Sequence, residues 1–230
     1  LNDLKNQFLG MAAHDLRNPL GNIINFIEFI EDNREHLKDE QVEFLNHIRE
    51  LASFMLKLVN DLLDYSAIES GNIHLKIQSI DLLDIIRKTI WFNQKLAQKK
   101  EISVELFTDL PSAPVEVDQG KIEQVLTNLI TNAIKFSHAH SHIYVHVNDS
   151  EDHIITAVED EGQGIPENKL NLLFQPFKKI GVKGTGGEKS TGLGLFIVKQ
   201  IVEAHNGTIK ADSVFGEGST FSIQLPKKPQ

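Results

Sequence analysis

Residues 160–166 read DEGQGIP and directly follow a stretch, residues 153–159, in which apolar and polar residues largely alternate. Alternation with a period of two predicts a β-strand. The two glycines of the heptapeptide allow the backbone to approach a ligand without a Cβ in the way. An aspartate and two glycines at the end of a strand therefore indicate a ligand-binding loop, although a simple loop can have the same pattern.

Short β-rich runs alternate with helices on both sides of this loop. We predict helices at residues 82–97, 120–136 and 193–205. We predict strands at residues 74–80, 102–107, 142–148, 153–159, 207–213 and 219–225, with a hairpin turn at 149–152. Strands that pair as neighbours on one face, with helices on the other, indicate an α+β sandwich.

The first 70 residues have helical periodicity instead. Apolar residues recur at helical spacing over residues 1–31 and with nearly heptad spacing over residues 44–65, and the polar segment 32–39 between them is a natural turn. The second helix should end near Gly71. A hairpin of two long helices cannot cover both apolar stripes, so we expect a second copy to complete a four-helix bundle. Docking of the hairpin onto the rest of its own chain is the alternative.

Composition excludes several classes of protein. The net charge of −9 argues against nucleic-acid binding, which requires a basic surface. The count of Cys is 0, which excludes disulfides and cysteine zinc sites. Apolar runs such as residues 193–198 are far shorter than the roughly 20 residues of a membrane-spanning helix. We expect a cytoplasmic location for this chain, with membrane contact, if any, only through segments outside it.

The sequence HDLRNPL at residues 14–20 places a histidine in the first helix. On a helical projection His14 lies about 150° from the apolar direction, so its ring is expected to face solvent. A neutral imidazole is a good nucleophile near neutral pH, and the adjacent carboxylate of Asp15 can orient the ring and accept its other proton. Pro19 cannot donate to the carbonyl of Asp15, so a bend is expected there. An ordinary surface histidine and an incidental kink are the alternatives.

Three further segments carry polar or glycine-rich patterns. Asn128, Asn132 and Lys135 share one face of the helix predicted at 120–136, where a merely solvated face is the alternative. FQPF at 174–177 is aromatic, and core packing is the more usual role of such phenylalanines. The glycine-rich residues 184–195 lead into a helix whose first N–H groups can meet phosphate oxygens. The spacing matches neither a Walker A loop nor a dinucleotide-binding fingerprint.

Taken together and in this order, HDLRNPL and the four C-terminal segments resemble the phosphoacceptor box and the N, G1, F and G2 boxes of sensor histidine kinases. Their ATP-binding domain is shared with type II topoisomerases and certain heat-shock chaperones. The resemblance implies a dimerisation and histidine phosphotransfer domain at 1–70 and an ATP-binding catalytic domain at 75–228. It implies a protein-histidine kinase and homodimer that transfers phosphate from ATP to His14 and then to an aspartate of a response-regulator receiver domain.

The resemblance also implies roles for individual residues. His14, Asp15 and Asn18 are expected to be catalytic, with Asn18 positioning a water for a second, phosphatase activity. Asn132 is expected to bind Mg²⁺, and Asp160 to accept the exocyclic amine of adenine. The other expected nucleotide-binding residues are Asn128, Lys135, Gly162, Gly164, Phe177, Lys179, Thr191, Gly192, Leu193 and Gly194. Lys179 stands where many relatives carry arginine, so a bidentate phosphate contact would be replaced by a single ammonium.

Two other classes of protein are alternatives. One is an ATPase related to the chaperones and topoisomerases, against which the preceding hairpin with its histidine box argues. The other is a non-catalytic dimeric signalling scaffold, against which the intact Asn132, Asp160 and glycines argue.

Overall fold

The computed structural model describes residues 2–32, 37–71, 73–178, 181, 184–188 and 190–228, with side chains except at residues 2–14 and 32. The chain divides into two compact units, Leu1–Ile73 and His74–Gln230, called here the hairpin unit and the sheet unit. Among the described residues, no helix combines the length and apolar character that a membrane span requires.

The hairpin unit consists of two long antiparallel helices, α1 (Asn2–Asp32) and α2 (Asp39–Glu69). α1 continues through Pro19. α2 begins at a capping box in which the Lys38 amide donates to Gln41 Oε1 at 2.9 Å. It ends at Ser70, followed by Gly71 with a φ of +71°, which confirms the predicted end of the helix.

Contacts between α1 and α2 are both polar and apolar. The Arg17 guanidinium donates to Asn60 Oδ1 from Nη2 at 2.7 Å and from Nε at 3.2 Å, and Arg49 pairs with Glu31. Among the described side chains of this unit, the buried apolar ones are Leu20, Ile27 and Ala52. The buried apolar contact between α1 and α2 is therefore small.

The sheet unit contains seven strands and four helices among its described residues. The helices are α3 (Leu82–Gln98), α4 (Gln119–Phe136), α5 (Glu167–Leu170) and α6 (Gly194–Ala204). The strands are β1 (Gln78–Asp81), β2 (Ser103–Phe107), β3 (Pro114–Val117), β4 (His142–Ser150), β5 (His153–Asp160), β6 (Thr208–Val214) and β7 (Gly218–Pro226).

Five strands form the main sheet in the order β2-β4-β5-β7-β6. The β2–β4 pair is parallel and the others are antiparallel, whereas β1 and β3 form a separate antiparallel pair. Alternate residues of β4, β5 and β7 are buried, so one face of the sheet is packed, and α4 and α6 contact these strands. A helical hairpin followed by an α/β unit confirms the predicted fold class.

Side-chain caps set the starts of two helices. Asp81 Oδ1 accepts from the Leu83 amide at 3.0 Å and starts α3. Asp118 Oδ1 accepts from the Lys121 amide at 3.0 Å and starts α4, while its other oxygen accepts from Lys76 at 2.8 Å. Burial acts to raise the pKa of Asp118, but these hydrogen bonds outweigh it and the pKa is lowered.

Some predicted boundaries were wrong. The strand predicted at 74–80 is shorter, because β1 starts at Gln78 and its four residues pair with the four of β3. The preceding Lys76 amide bonds to Asp118 rather than to a neighbouring strand. β3 and α5 were not predicted. The turn between β4 and β5 is tighter than predicted because β4 extends to Ser150, whereas β5 begins at His153 as predicted.

Candidate functional site

The polar face of α4 meets the start of α6. Asn128 is 8% exposed, and its Nδ2 donates to the Gln124 carbonyl at 3.2 Å. Its Oδ1 lies 3.1 Å from the place that a Cβ of Gly194 would occupy. Asn132, one turn further along, is only partly buried. The fold thus brings together residues from the predicted helix face and the glycine-rich segment.

Lys135 lies at the last turn of α4. Its Nζ is 5.0 Å from the centre of the Phe136 ring, a cation–π contact. Its Cγ is 3.0 Å from the position of a Cβ at Gly184, so residues 184–188 pass close over its stem. A positive charge therefore sits where α4 and this segment meet.

Asp160 ends β5 and is buried, with 6% exposure. Its Oδ1 accepts from the Gly162 amide at 2.9 Å, and the carboxylate also accepts from the backbone of Ser219. Burial raises the pKa of Asp160 to about 6, although the two backbone hydrogen bonds act to lower it. At neutral pH the side chain is thus mainly a carboxylate, and it takes up a proton in mildly acidic solution.

The glycines after Asp160 permit close backbone packing. A Cβ at Gly162 would lie 2.5 Å from Asp160 Oδ1 and 2.7 Å from the Phe136 carbonyl oxygen. Gly164 has a φ of +64°, and a Cβ there would overlap the Val214 carbonyl oxygen. These glycines hold the loop after β5 against the end of α4 and the β6–β7 turn.

The aromatic segment touches the glycine-rich segment. The Phe177 amide donates to the Gly192 carbonyl at 2.9 Å. Both residues have a left-handed backbone conformation, with φ of +60° and +77°. The Phe177 side chain is 55% exposed, so core packing does not explain its presence. Its ring is therefore more than half exposed beside Gly192.

The first turn of α6 has the features of an anion site. Leu193 is buried and stands at the N-cap, and no side chain among the described residues caps α6 there. Thr191 Oγ1 accepts from the Leu193 amide at 3.2 Å. The remaining N–H groups and the helix dipole favour a negatively charged group at this end.

A metal ion at this site would need ligands from a bound group. In the part of the chain that the structure describes, no three His, Asp or Glu side chains are grouped so that they could hold a metal. Asn132 offers a neutral oxygen, which suits a hard cation that is held mainly by phosphate oxygens and water.

The phosphoacceptor segment is helical. His14 belongs to α1, but its side chain lies outside the described residues, so its predicted exposure stays a prediction. Asp15 and Asn18 are exposed within the single chain. Lys179 also lies outside the described residues.

Two residues near the site were missed by sequence reasoning. Gly218 has a φ of +140°, and a Cβ there would overlap the Asp160 carbonyl oxygen. Lys100 donates to the last carbonyls of α4 and to Thr185, at distances of 2.8–3.1 Å. Its partners lie 34 to 85 residues further along the chain, so no local pattern indicates them.

Two family models match the chain. The His Kinase A (phospho-acceptor) domain matches residues 4–71. The family of histidine kinase-, DNA gyrase B-, and HSP90-like ATPases matches residues 117–229.

Several curated proteins are similar over nearly the whole chain. The sensor histidine kinase WalK of Bacillus subtilis is 34% identical over 98% of this chain and 37% of its own length. The sensor protein kinase WalK of Staphylococcus aureus is 36% identical over 96% of this chain and 54% of its own length. The chain thus spans about a third to a half of these two relatives.

Solved structures share the architecture. The Acinetobacter baumannii histidine kinase AdeS is 30% identical, with a TM-score of 0.65 over 93% of this chain and 98% of its own. Full-length ShkA in complex with AMPPNP is 26% identical, with a TM-score of 0.74 over 96% of this chain and 45% of its own. The histidine kinase ThkA, in complex with the response regulator protein TrrA, is 25% identical, with a TM-score of 0.65 over 99% of this chain and 64% of its own.

Proposed function

The chain belongs to the sensor histidine kinases, and from this membership we propose that it is the catalytic core of a two-component kinase that transfers the γ-phosphate of ATP to His14. The observation that carries the proposal is the convergence of separate segments in the sheet unit. Asn128 adjoins Gly194, and Phe177 bonds to Gly192. Residues 1–70 form the dimerisation and phosphotransfer domain, and residues 75–228 form the ATP-binding domain.

Asp160 recognises the base of the nucleotide. With a pKa of about 6, its carboxylate is ionised at neutral pH and accepts a hydrogen bond from the exocyclic amine of adenine. Guanine presents a carbonyl at the corresponding position and is rejected. Gly162 and Gly164 hold the loop beneath the base, and the exposed Phe177 ring closes one end of the site.

Positive charge and backbone N–H groups hold the phosphates. Lys135 and Lys179 provide ammonium groups, and the segment from Thr191 through Gly192 and Leu193 to Gly194 presents the start of α6. Asn128 supports that segment through its contact with Gly194. The Asn132 amide oxygen is a ligand for Mg²⁺, which when bound neutralises charge on the phosphate oxygens.

The chemical step is an in-line displacement at the γ-phosphorus. A neutral imidazole nitrogen of His14 forms the new P–N bond, the bond between the γ-phosphorus and the bridging oxygen breaks, and ADP leaves. Asp15 is adjacent in sequence and exposed. Its carboxylate orients the ring and accepts the proton that the imidazole releases.

The hairpin unit supports the assignment of partners. It exposes large apolar side chains that a second copy covers in a four-helix bundle. These are Leu16, Ile23, Phe26, Phe29, Ile30, Phe44, Ile48, Leu51, Met55 and Leu58. The phosphate then passes to an aspartate of a response-regulator receiver domain. The reaction takes place in the cytoplasm, and membrane contact, if any, comes only through segments outside this chain.

Incubation with γ-labelled ATP tests the proposal. We expect a label on the protein that is lost in acid and kept in base, and that disappears in His14→Gln. His47→Gln is the matched control, because His47 is an exposed histidine of α2 in the same unit. Release of inorganic phosphate that His14→Gln leaves unchanged would instead favour the ATPase class. Failure of the unsubstituted protein to bind nucleotide would favour the scaffold.

Asn18 provides a second activity toward the same partner. It lies one helical turn beyond His14, and its exposed amide can orient a water toward a phosphorylated aspartate. We expect Asn18→Ala to slow dephosphorylation of the cognate regulator at least tenfold while autophosphorylation stays within twofold. An unchanged rate of dephosphorylation would remove this assignment.

A further inference from the structure

Lys100 occupies an unusual position between α3 and β2. Its side chain is only 19% exposed. Its ammonium group lies 3.1 Å from the Ile134 carbonyl oxygen, 3.0 Å from that of Lys135 and 2.8 Å from Thr185 Oγ1. It also forms an ion pair with Glu188 at 2.6 Å. Since an ammonium has three protons and four acceptors lie within reach, at least one proton is shared between two of them.

Thr185 and Glu188 fix residues 184–188 to the end of α4. The Thr185 amide donates to the Lys135 carbonyl at 3.1 Å, and its hydroxyl donates to the Ser137 carbonyl at 2.5 Å. Glu188 Oε2 accepts from the Gly186 amide at 2.9 Å. Lys100, Thr185 and Glu188 together are called here the Lys100 clamp.

The electrostatics favour a charged clamp. Burial acts to raise the pKa of Glu188, but hydrogen bonds from Lys100 and Gly186 outweigh it and the pKa is lowered. The ammonium also lies against the last carbonyls of α4, where the helix dipole favours a cation. Removing that cation would leave a partly buried carboxylate without its partner and two carbonyls without one of their donors.

The clamp adjoins residues that are assigned to the nucleotide. Gly184 packs against the Lys135 stem, with 3.0 Å between its Cβ position and Lys135 Cγ. The segment ends three residues before Thr191, where the start of the phosphate-binding turn lies. A displacement of residues 184–188 would therefore be transmitted to Lys135 on one side and to that turn on the other.

We propose that Lys100 is a positioning residue for nucleotide binding: its ammonium holds residues 184–188 on the end of α4, so that Lys135 and the turn at Thr191 are in place before the nucleotide arrives. The inference rests on the function proposed above. Lys100 itself contacts no reacting atom. Without the clamp, only a fraction of molecules is competent to bind, and the apparent Kd rises by the inverse of that fraction.

The test measures affinity and local order in the 230-residue protein. Calorimetric titration with a non-hydrolysable ATP analogue and Mg²⁺ gives Kd for the unsubstituted protein, Lys100→Met, Glu188→Gln, their combination and the control Lys99→Met. Lys99 is the neighbouring, exposed lysine, so its substitution makes the same change in charge. Hydrogen exchange at the Thr185 and Gly186 amides reports whether the segment has detached.

We expect Lys100→Met to raise Kd about tenfold and Glu188→Gln to raise it about threefold. The double variant should bind within twofold of Lys100→Met, because both substitutions break the same clamp. Labelling of His14 at saturating ATP should stay within twofold, and exchange at Thr185 and Gly186 should accelerate. A role limited to overall stability would lower Tm and leave both Kd and local exchange unchanged.

Different results would refute the proposed function and the proposed role of Lys100. An unsubstituted protein that binds no analogue refutes the proposed function itself. An unsubstituted protein that binds, with Lys100→Met within twofold of it or Lys99→Met equally weakened, refutes the role of Lys100 alone. If Lys100→Met does not fold, Glu188→Gln decides, and unchanged affinity in that variant refutes the clamp.

Discussion

The hairpin unit and the sheet unit differ in how far they bury their apolar side chains. In the hairpin unit Leu20 and Ile27 are buried, but Phe26, on the same helix, is 67% exposed. In the sheet unit Ile130, at the middle of α4, has no exposure at all, and the strands bury alternate residues against α4 and α6. The sheet unit therefore contains its own core, whereas the hairpin unit leaves exposed the large apolar side chains that the proposed dimer would cover.

This difference separates two kinds of stability. The free energy of unfolding of the sheet unit is a property of a single chain and is independent of protein concentration. In the dimer proposed above, that of the hairpin unit would include an association step and would increase with protein concentration.

The largest effect is expected for Gly164→Ala in the sheet unit. The backbone of Gly164 is left-handed, and a Cβ would overlap the Val214 carbonyl oxygen. Backbone cannot give way as a flexible side chain can, so we expect a loss of about 4 kcal/mol or more in the free energy of unfolding. Urea denaturation measures it. A loss below about 1 kcal/mol would show that the loop after β5 adapts.

The next effect compares one core residue from each unit. Ile130→Ala should lower the stability of the sheet unit by about 3 kcal/mol at every protein concentration, because it leaves a cavity. Phe26→Ala should leave the sheet unit unchanged and raise the dimer dissociation constant about a hundredfold, since two copies of the ring are lost. Denaturation and sedimentation equilibrium over a range of concentrations measure both. Unchanged dimerisation in Phe26→Ala would contradict the contrast.

A pH-dependent effect is expected in the sheet unit from Asp160. Its folded-state pKa of about 6 lies above the ordinary value of 3.8, because burial disfavours the carboxylate. The stability that this raised pKa contributes is fully present below pH 3.8 and is lost as the pH rises through about 6. Asp160→Asn cannot titrate, so the wild type should lose about 2 kcal/mol of stability relative to the variant between pH 4 and pH 7.

Urea denaturation at several pH values measures this difference. Asp109→Asn, an exposed position of the same unit, is the matched control. An Asp160→Asn difference that is constant with pH would mean that this carboxyl group is not desolvated in the folded protein.

The smallest effect is expected for Gly21→Ala in α1. A Cβ at Gly21 would meet nothing within 4 Å in the single chain. Alanine has a higher helix propensity, so thermal unfolding should show a gain of about 1 kcal/mol per chain. A loss of stability instead would place Gly21 at a close contact between the two chains of the proposed dimer. Gly21 would then differ from Gly164, whose close contact lies within one chain.

The long helices of the fold were predictable because helical periodicity and the signals at helix ends are local, whereas the four-residue α5 was not predicted. Asp81 and Asp118 cap α3 and α4, and Gly71 follows the end of α2. The long strands were predictable because alternation is local too. β3 was not, because a four-residue strand is defined by its partner β1 rather than by its own pattern.

The residues of the candidate site also divide into those that local sequence predicts and those that it does not. Asp160 and Gly164 stand in a recognisable heptapeptide. Lys100 and Gly218 belong to no such motif. Lys100 contacts Thr185, which is 85 residues away, and Gly218 packs closely against the backbone of Asp160. Such contacts exist only once the chain has folded, and local patterns contain no trace of them.

The position of β7 in the main sheet has a consequence for synthesis. β7 comes after the other described strands in sequence but lies between β5 and β6, and its Ser219 pairs with Asp160. A nascent chain that has left the ribosome only as far as residue 217 holds β5 and β6 without the strand that joins them. Such a chain can still pair β2, β4 and β5, but β6 has no neighbour in the main sheet and the Ser219 backbone that bonds to Asp160 is missing, so the surroundings of Asp160 are completed only when β7 is made.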